Sequence, residues 1–178
     1  PRSLSPEAAG GLMAEVPPAG LKVGLVVDAD DRLLEEIVSR TSLDILQLHG
    51  QEPPGRVVEL KKRFGREVMK AVAISAPGDI ATARTYEPAA DRLLFDARPA
   101  EGASRPGGNA LAFDWKLIAG QTWSKPWLLA GGLDASNVRE AVRISGAMAV
   151  DISSGVEDSP GVKSVDKIRE FLAVAREI

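Results

Sequence analysis

The feature that most constrains the fold is a regular alternation of short apolar runs with amphipathic segments along the whole chain. The runs are nearly continuous in hydrophobic residues, which is typical of parallel strands buried on both faces. Segments with helical spacing of apolar residues lie between them. The predicted strands are 22–28, 43–50, 67–74, 91–97, 127–133 and 148–153.

The segments between these runs carry helix-start signals. Ser5 precedes Pro6 as an N-cap before a first-turn proline, and Asp30 or Asp31 can cap the next helix. The chain therefore predicts a helix followed by strand and helix repeated six times. The predicted helices lie near 5–16, 30–40, 54–64, 79–86, just after Trp115, 134–144 and 164–178.

This alternation leaves two architectures, a closed (β/α)₈ barrel and an open doubly wound sheet. The open sheet often carries a glycine-rich fingerprint after its first strand, but residues 28–31 read Asp-Ala-Asp-Asp. Polar residues collect instead at several strand ends, as in barrel enzymes. We therefore expect an α/β protein with the (β/α)₈ TIM-barrel fold, of which about six of the eight strands are present. Residues 1–178 would form a single phosphate-binding domain.

Composition excludes several functional classes. The chain has 22 Lys and Arg against 25 Asp and Glu, with no basic block, which argues against nucleic acid as a partner. It has no apolar run of about 18 residues or signal pattern, so we expect no membrane span and a cytoplasmic location. Cysteine is absent and His49 is the single histidine, which excludes thiolate and histidine-rich metal sites. A small-molecule partner is favoured.

Two glycine-containing strand ends predict a phosphate-binding site. Gly131 and Gly132 end one predicted strand, and Ser153, Ser154 and Gly155 follow the next. Small residues let backbone N–H groups approach an anion closely, as they do in the last two loops of phosphate-binding barrels. The alternative is that these glycines only make tight turns between strand and helix.

Polar side chains at strand ends predict acid–base chemistry. Asp96 follows an apolar strand, so we expect it to lie beside an apolar wall. Burial there would raise its pKa and keep a proton available for general acid catalysis. Alternatively, Asp96 caps a helix or pairs with Arg98. Gln47 and His49 share one strand face, where they could meet a ligand or form structural hydrogen bonds. The buried Asp151 needs a partner, either a substrate hydroxyl or a salt bridge.

A long connection follows Asp96. Residues 97–109 are rich in Gly, Pro and Ala, and the segment exceeds the usual connection of about 2 to 6 residues. Its place directly after Asp96 favours a lid that closes over the ligand and excludes water. A surface loop is the alternative.

Together these motifs resemble the phosphoribosylanthranilate isomerase family, in the family's order and over essentially the whole chain. The matching segments are QLHG at 47–50, LFDA at 94–97, PGG at 106–108 before FDW at 113–115, AGGL at 130–133 before NV at 137–138, and VDISSGVE at 150–157 before PG at 160–161.

The resemblance implies a cofactor-free and metal-free barrel enzyme of tryptophan biosynthesis. Members convert N-(5-phosphoribosyl)anthranilate to 1-(2-carboxyphenylamino)-1-deoxyribulose 5-phosphate by an Amadori rearrangement. By resemblance, Asp96 is the general acid that protonates the ribose ring oxygen, and Arg2 binds the anthranilate carboxylate. The remaining implied residues are Gly131, Gly132, Ser153, Ser154 and Gly155 at the phosphate, Gln47 and His49 in the pocket, Asp151 near the ribose hydroxyls, and Gly107 and Gly108 in the lid.

The sequence departs from the family at its start. The family opens with a strand carrying Lys-x-Cys-Gly, whose cysteine is the general base, and this strand is not in the 178 residues. We therefore expect the domain to be N-terminally incomplete and this chain alone to be inactive. Alternatives are another phosphosugar barrel, of the epimerase or indoleglycerol-phosphate synthase type, with Lys70 as the strand-end lysine, or a non-catalytic barrel fragment.

Overall fold

A computed structural model describes residues 2–97 and 113–178 and places a five-stranded parallel sheet at their centre. The strands pair in sequence order, and every neighbouring pair is parallel. Helices supply the crossovers that the first four of these strands require. The strands are β1 (Val23–Val26), β2 (Ile45–Leu48), β3 (Glu67–Ile74), β4 (Arg92–Ala97) and β5 (Trp127–Leu129).

The helices confirm most of the predicted positions and their caps. The Ser5 hydroxyl accepts from the Ala8 N–H, and the Asp30 carboxylate accepts from the Leu33 N–H, so both predicted N-caps are present. None of the helices in the described part of the chain is long and apolar enough to cross a membrane. The helices are α1 (Pro6–Ala14), α2 (Asp31–Arg40), α3 (Pro54–Phe64), α4 (Gly78–Arg84), α5 (Val138–Ser145) and α6 (Val165–Ala175), with 3₁₀ turns at Trp115–Leu117 and Ser154–Val156.

The predicted sixth strand is shorter than its apolar pattern suggested. Within 148–153 only Val150 makes a ladder contact, a single parallel bridge to Leu129. The chain then forms a small antiparallel hairpin that the sequence did not predict, β6 (Glu157–Ser159) and β7 (Val162–Lys163). Gly161, with φ +90°, supplies the left-handed residue that closes its turn.

Two apolar layers flank the middle of the sheet. One face carries a cluster of Ile45, Met69, Ala71, Leu94 and Ala130, and we call this the inner face. The larger core lies between the opposite, outer face and the helices. All of β2 and nearly all of β3 and β4 are buried, which confirms the prediction of strands covered on both faces.

That prediction is wrong for β1. Val23 and Leu25 are 40% and 56% exposed. They are in register with Ile45 and Gln47, so they belong to the inner face. The cause is position: within the described residues β1 is an edge strand whose only neighbour is β2.

Candidate active site

Strand periodicity brings the predicted polar residues to one end of the inner face. Gln47 is in register with Met69 of the inner cluster, and His49 follows two residues later. Asp96 lies two residues beyond Leu94 on β4. Since side chains two residues apart on a strand share a face, all three polar groups project on the same side. The predicted clustering at the carboxyl ends of the strands is confirmed.

A chain of hydrogen bonds connects these side chains. Gln47 Nε2 lies 3.1 Å from His49 Nδ1, and His49 Nε2 lies 3.1 Å from Asp96 Oδ2. The amide nitrogen of Gln47 can only donate, so Nδ1 accepts and the neutral ring carries its proton on Nε2, directed at Asp96. The side chains of His49 and Asp96 are only 12% and 11% exposed. His49 therefore fixes one oxygen of the Asp96 carboxyl.

The intervening strand leaves room for this contact. β3 lies between β2 and β4, and at this level its inner face carries Ala71 and Ala73. Ala73 is in register with Asp96. The methyl side chains let His49 reach across β3, where a larger residue would stand between the two polar groups. This gap across β3 is not among the predicted features, although the alternating alanines at 71 and 73 are a readable signal for it.

Asp151 is partly buried at the same end of the sheet. Its pKa is raised, first by burial and then by the negative charge of Asp96, against smaller opposing effects of His49 and Lys163. Within residues 2–97 and 113–178 its carboxylate has no ion-pair partner, so the salt-bridge alternative is not supported there. The raised pKa favours a protonated Asp151 carboxyl group in the same cleft as Asp96.

The two glycine-containing loops line one solvent-open cleft beside Asp96. The empty space inside it is about 280 Å³. The lining does not include Gln47, His49 or Gly155. Gln47 and His49 are connected to the cleft by their chain of hydrogen bonds to Asp96. The lining consists of Asp96, Ala130, Gly131, Gly132, Leu133, Asp151, Ser153 and Ser154.

Glycine is required at two positions of these loops. Gly131 has φ +87°, and a Cβ there would lie 2.5 Å from the Ala97 nitrogen and 2.9 Å from Asp96 Oδ1. A Cβ on Gly155 would lie 2.0 Å from the Leu133 carbonyl oxygen. Gly155 therefore does not face the cleft but lets the two loops pack against each other.

The Gly131–Gly132 loop is also braced by the start of the following helix. The Asn137 amide donates to the Gly132 carbonyl at 2.8 Å, and its oxygen accepts from the Asp134 N–H at 2.9 Å. Asp134 in turn accepts from the N–H groups of Ser136 and Asn137. The loop is therefore held in shape before any ligand binds, which lowers the entropic cost of binding one.

Substituting Gly131 by alanine should impair both the fold and the site. We expect Gly131→Ala to lose about 2 kcal/mol of stability from its positive φ and backbone clash, and to lower turnover at least about tenfold because it displaces Asp96. Thermal unfolding and steady-state kinetics measure the two effects. Gly146→Ala is the matched control, since Gly146 has φ +75° and open space around it. Equal loss of turnover in both variants would refute the local role of Gly131.

Arg2 is held by Glu157, an acidic residue for which the sequence predicts no role. Arg2 Nε donates to Glu157 Oε1 at 2.7 Å, and Nη2 donates to Oε2 at 2.5 Å. The Glu157 side chain is 4% exposed and also pairs with Lys163 at 3.0 Å. This geometry leaves the Nη1 end of the guanidinium for a second carboxylate. Arg2 does not line the cleft itself.

The Arg2–Glu157 pair persists over a wide pH range. The hydrogen bond from Arg2, with further support from Lys163, holds the pKa of Glu157 at about 2, below its ordinary value of 4.5. A depressed acid pKa stabilises the fold above the unfolded-state value, and this contribution disappears as the pH falls from about 4.5 to about 2. At neutral pH Arg2 therefore keeps one orientation.

Lys70 does not point into the cleft. It is in register with Leu48 and Leu93, which belong to the outer core, and its ammonium group pairs with Glu52 at 3.0 Å. A lysine in this position cannot reach a ligand on the inner face, which argues against the synthase-type alternative. The predicted lid residues Gly107 and Gly108 lie outside the described residues. Among those that are described, no group of three His, Cys, Asp or Glu could hold a metal ion.

Comparison with known proteins assigns the family. The family model for N-(5'-phosphoribosyl)anthranilate (PRA) isomerase matches residues 1–174. The chain belongs to this family. Relatives named as PRA isomerases from Paramagnetospirillum magneticum and Rhodospirillum centenum are 52% and 51% identical, over 99% and 98% of this chain and 82% of each relative.

Solved structures of PRA isomerases have the same fold. The structure from Thermotoga maritima is 33% identical with a TM-score of 0.83, covering 98% of this chain and 82% of its own. A second PRA isomerase structure, in complex with reduced 1-(o-carboxyphenylamino)-1-deoxyribulose 5-phosphate, is 31% identical with a TM-score of 0.79, covering 98% and 81%. The expected α/β barrel class of the PRA isomerase family is confirmed.

Proposed function

We propose that the natural protein isomerises N-(5'-phosphoribosyl)anthranilate to 1-(2-carboxyphenylamino)-1-deoxyribulose 5-phosphate in tryptophan biosynthesis. The observation that carries this assignment is Asp96, a buried carboxyl group fixed by His49 on the wall of a cleft formed by two glycine-containing loops. That arrangement sets a proton donor beside a site suited to a phosphosugar. Membership of the PRA isomerase family supports the same reaction.

The substrate has two anionic ends that this chain can bind separately. The phosphate is assigned to the loops containing Gly131, Gly132, Ser153 and Ser154, which line the cleft. Backbone N–H groups of such loops can donate to a phosphate. The anthranilate carboxylate is assigned to the free Nη1 end of Arg2, which Glu157 holds in place. Two fixed anchors would orient the ribose ring between them against Asp96.

The first chemical step is ring opening. Protonated Asp96 gives its proton to the ribose ring oxygen, the bond from C1 to that oxygen breaks, and the anilino nitrogen supplies the electron pair that forms the Schiff base. Ring opening leaves Asp96 ionised. The Gln47 amide donates to His49 Nδ1, so the ring carries its proton on Nε2. Nε2 then donates to the Asp96 carboxylate.

Gln47 can serve both protonation states of Asp96. While Asp96 is protonated, its proton lies on Oδ1, the oxygen that does not contact His49, and Oδ2 still accepts from His49 Nε2. The Gln47 amide, which donates to Nδ1, therefore keeps the same ring tautomer before and after proton transfer.

The second step moves a proton from C2. Its removal from the Schiff base gives an enolamine, which ketonises to the product. Asp151 is assigned to the ribose hydroxyls, because a partly buried carboxyl group with a raised pKa can donate a hydrogen bond to a sugar oxygen as well as accept one. We assign no residue of the 178 to removal of the C2 proton.

Genetic complementation tests this function. The natural full-length gene should restore growth without tryptophan to an auxotroph that lacks the isomerase, and the same gene carrying Asp96→Asn should not. Immunoblotting of both strains confirms equal soluble protein. The proposal fails if soluble wild-type protein accumulates and the strain still requires tryptophan.

A further inference from the structure

The backbone on both sides of His49 is held by a buried ion pair that lies outside the cleft. Lys70 Nζ donates to the carbonyl oxygens of Leu48 at 3.2 Å and Gly50 at 2.8 Å, which flank His49 in sequence. Its third hydrogen bond goes to Glu52 Oε2 at 3.0 Å. The Lys70 and Glu52 side chains are only 2% and 6% exposed.

Glu52 secures the same backbone from the other side. Its two carboxylate oxygens accept the Gly50 N–H at 3.2 and 3.0 Å, and Oε1 also accepts the Asp28 N–H at 2.9 Å. The His49 N–H donates to the Val26 carbonyl at 2.9 Å. The peptide group before His49 is therefore bonded at both its N–H and its C=O, and the one after it is bonded at its N–H. These contacts fix φ and ψ of His49.

Packing alone gives no reason for a charged residue at position 70. Its neighbours on the outer face of β3, Val68 and Val72, are buried aliphatic residues, and an apolar side chain would continue that pattern. A buried ion pair is often no more stabilising than an apolar replacement of similar volume. The distinctive contribution of Lys70 is thus its contact with the two carbonyl groups beside His49.

We infer that Lys70 is a positioning residue that acts through His49 to orient Asp96. This inference rests on the proposed function and extends it to a residue that never touches substrate. The ammonium group holds the end of β2, the fixed backbone aims the His49 ring across the alanines of β3, and the ring holds one Asp96 oxygen. Glu52 serves the same purpose by pairing with the ammonium group and holding it in place.

The test uses Lys70→Met, which retains an unbranched apolar stem and removes the ammonium group. His49 is the single histidine of the 178 residues, and comparison with His49→Asn identifies its ring signals in ¹H–¹⁵N correlation spectra of the full-length protein. In the wild-type full-length protein we expect one tautomer, with the proton on Nε2. In folded Lys70→Met we expect a mixture of tautomers, a fall in kcat of about 10- to 100-fold, and affinity for the reduced product within about threefold of wild type.

Tyr86→Phe is the matched control. The Tyr86 hydroxyl donates to the Glu52 carbonyl in the same buried cluster but touches neither peptide group beside His49. We expect this variant to lose stability while keeping the single tautomer and kcat. If Lys70→Met does not fold, Glu52→Gln, which removes the countercharge, is measured in its place with the same expected spectrum.

Two results would overturn the inference. One is a folded Lys70→Met protein with a wild-type His49 spectrum and wild-type kcat; the other is an equal effect of Tyr86→Phe on both measurements. The spectra do not depend on turnover. Absence of isomerase activity in the wild type would therefore refute the proposed function and still leave the positioning of His49 by Lys70 to be decided by the tautomer pattern.

Discussion

Replacing Asp96 with asparagine should lower kcat by about 10³-fold or more, because the amide cannot protonate the ribose ring oxygen. The side chain keeps its size and can still meet His49 Nε2, so the cleft should keep its shape. We therefore expect affinity for the reduced product analogue to stay within about threefold of wild type. Steady-state kinetics and calorimetric titration of the full-length variant measure the two quantities.

Asp151→Asn is the natural comparison for this variant. Asp151 lines the same cleft, but the account gives it a role in binding the sugar hydroxyls. Asp151→Asn should weaken substrate binding more than it lowers kcat, whereas Asp96→Asn should lower kcat more than it weakens binding. If Asp96→Asn retains more than about a tenth of wild-type kcat, Asp96 is not the general acid. If Asp151→Asn shows the larger loss of kcat, the roles of the two carboxyl groups are exchanged.

Replacing Arg2 with alanine should weaken binding of the anthranilate end of the ligand by about 100-fold. The reason is loss of the charge-assisted contact from Nη1 to the anthranilate carboxylate, together with exposure of the Glu157 charge that Arg2 now neutralises. Affinity for the reduced product should fall by this amount. Affinity for ribulose 5-phosphate, which has no anthranilate carboxylate, should change by less than about threefold.

Glu157→Gln provides the graded comparison. It keeps one oxygen for Arg2 but removes the negative charge that orients the guanidinium, so affinity for the reduced product should fall by about 5- to 10-fold. Its effect on ribulose 5-phosphate should again be small. Equal loss of affinity for both ligands in Arg2→Ala would show that Arg2 supports the phosphate loops instead of contacting the anthranilate carboxylate.

The parallel sheet was predictable because burial on both faces leaves a strong mark on sequence. β2, β3 and β4 need apolar residues at nearly every position, so their runs stand out without any alignment. The helix starts were predictable for a local reason, since Ser5 and Asp30 cap the backbone three residues away. The same logic failed for β1, where an equally apolar run lies at a sheet edge.

The site was only partly predictable, because its polar groups act in pairs that are distant in sequence. Strand periodicity placed Gln47 and His49 on one face, and the family resemblance pointed to Asp96. Nothing local to Arg2 indicated a partner 155 positions away at Glu157. The sequence suggests Lys70 only as the strand-end lysine of the synthase-type alternative, because no pattern in β3 shows that its amino group bonds to the carbonyls beside His49.

Direct assay of the purified natural full-length protein is the sharpest test of the assigned function. The protein is mixed with N-(5'-phosphoribosyl)anthranilate, and substrate and ketose product are separated by chromatography over time. The account predicts conversion to 1-(2-carboxyphenylamino)-1-deoxyribulose 5-phosphate without added metal or cofactor, and none above background with Asp96→Asn. Folded wild-type protein that leaves the substrate unchanged, or that converts it equally well with Asp96→Asn, would contradict it.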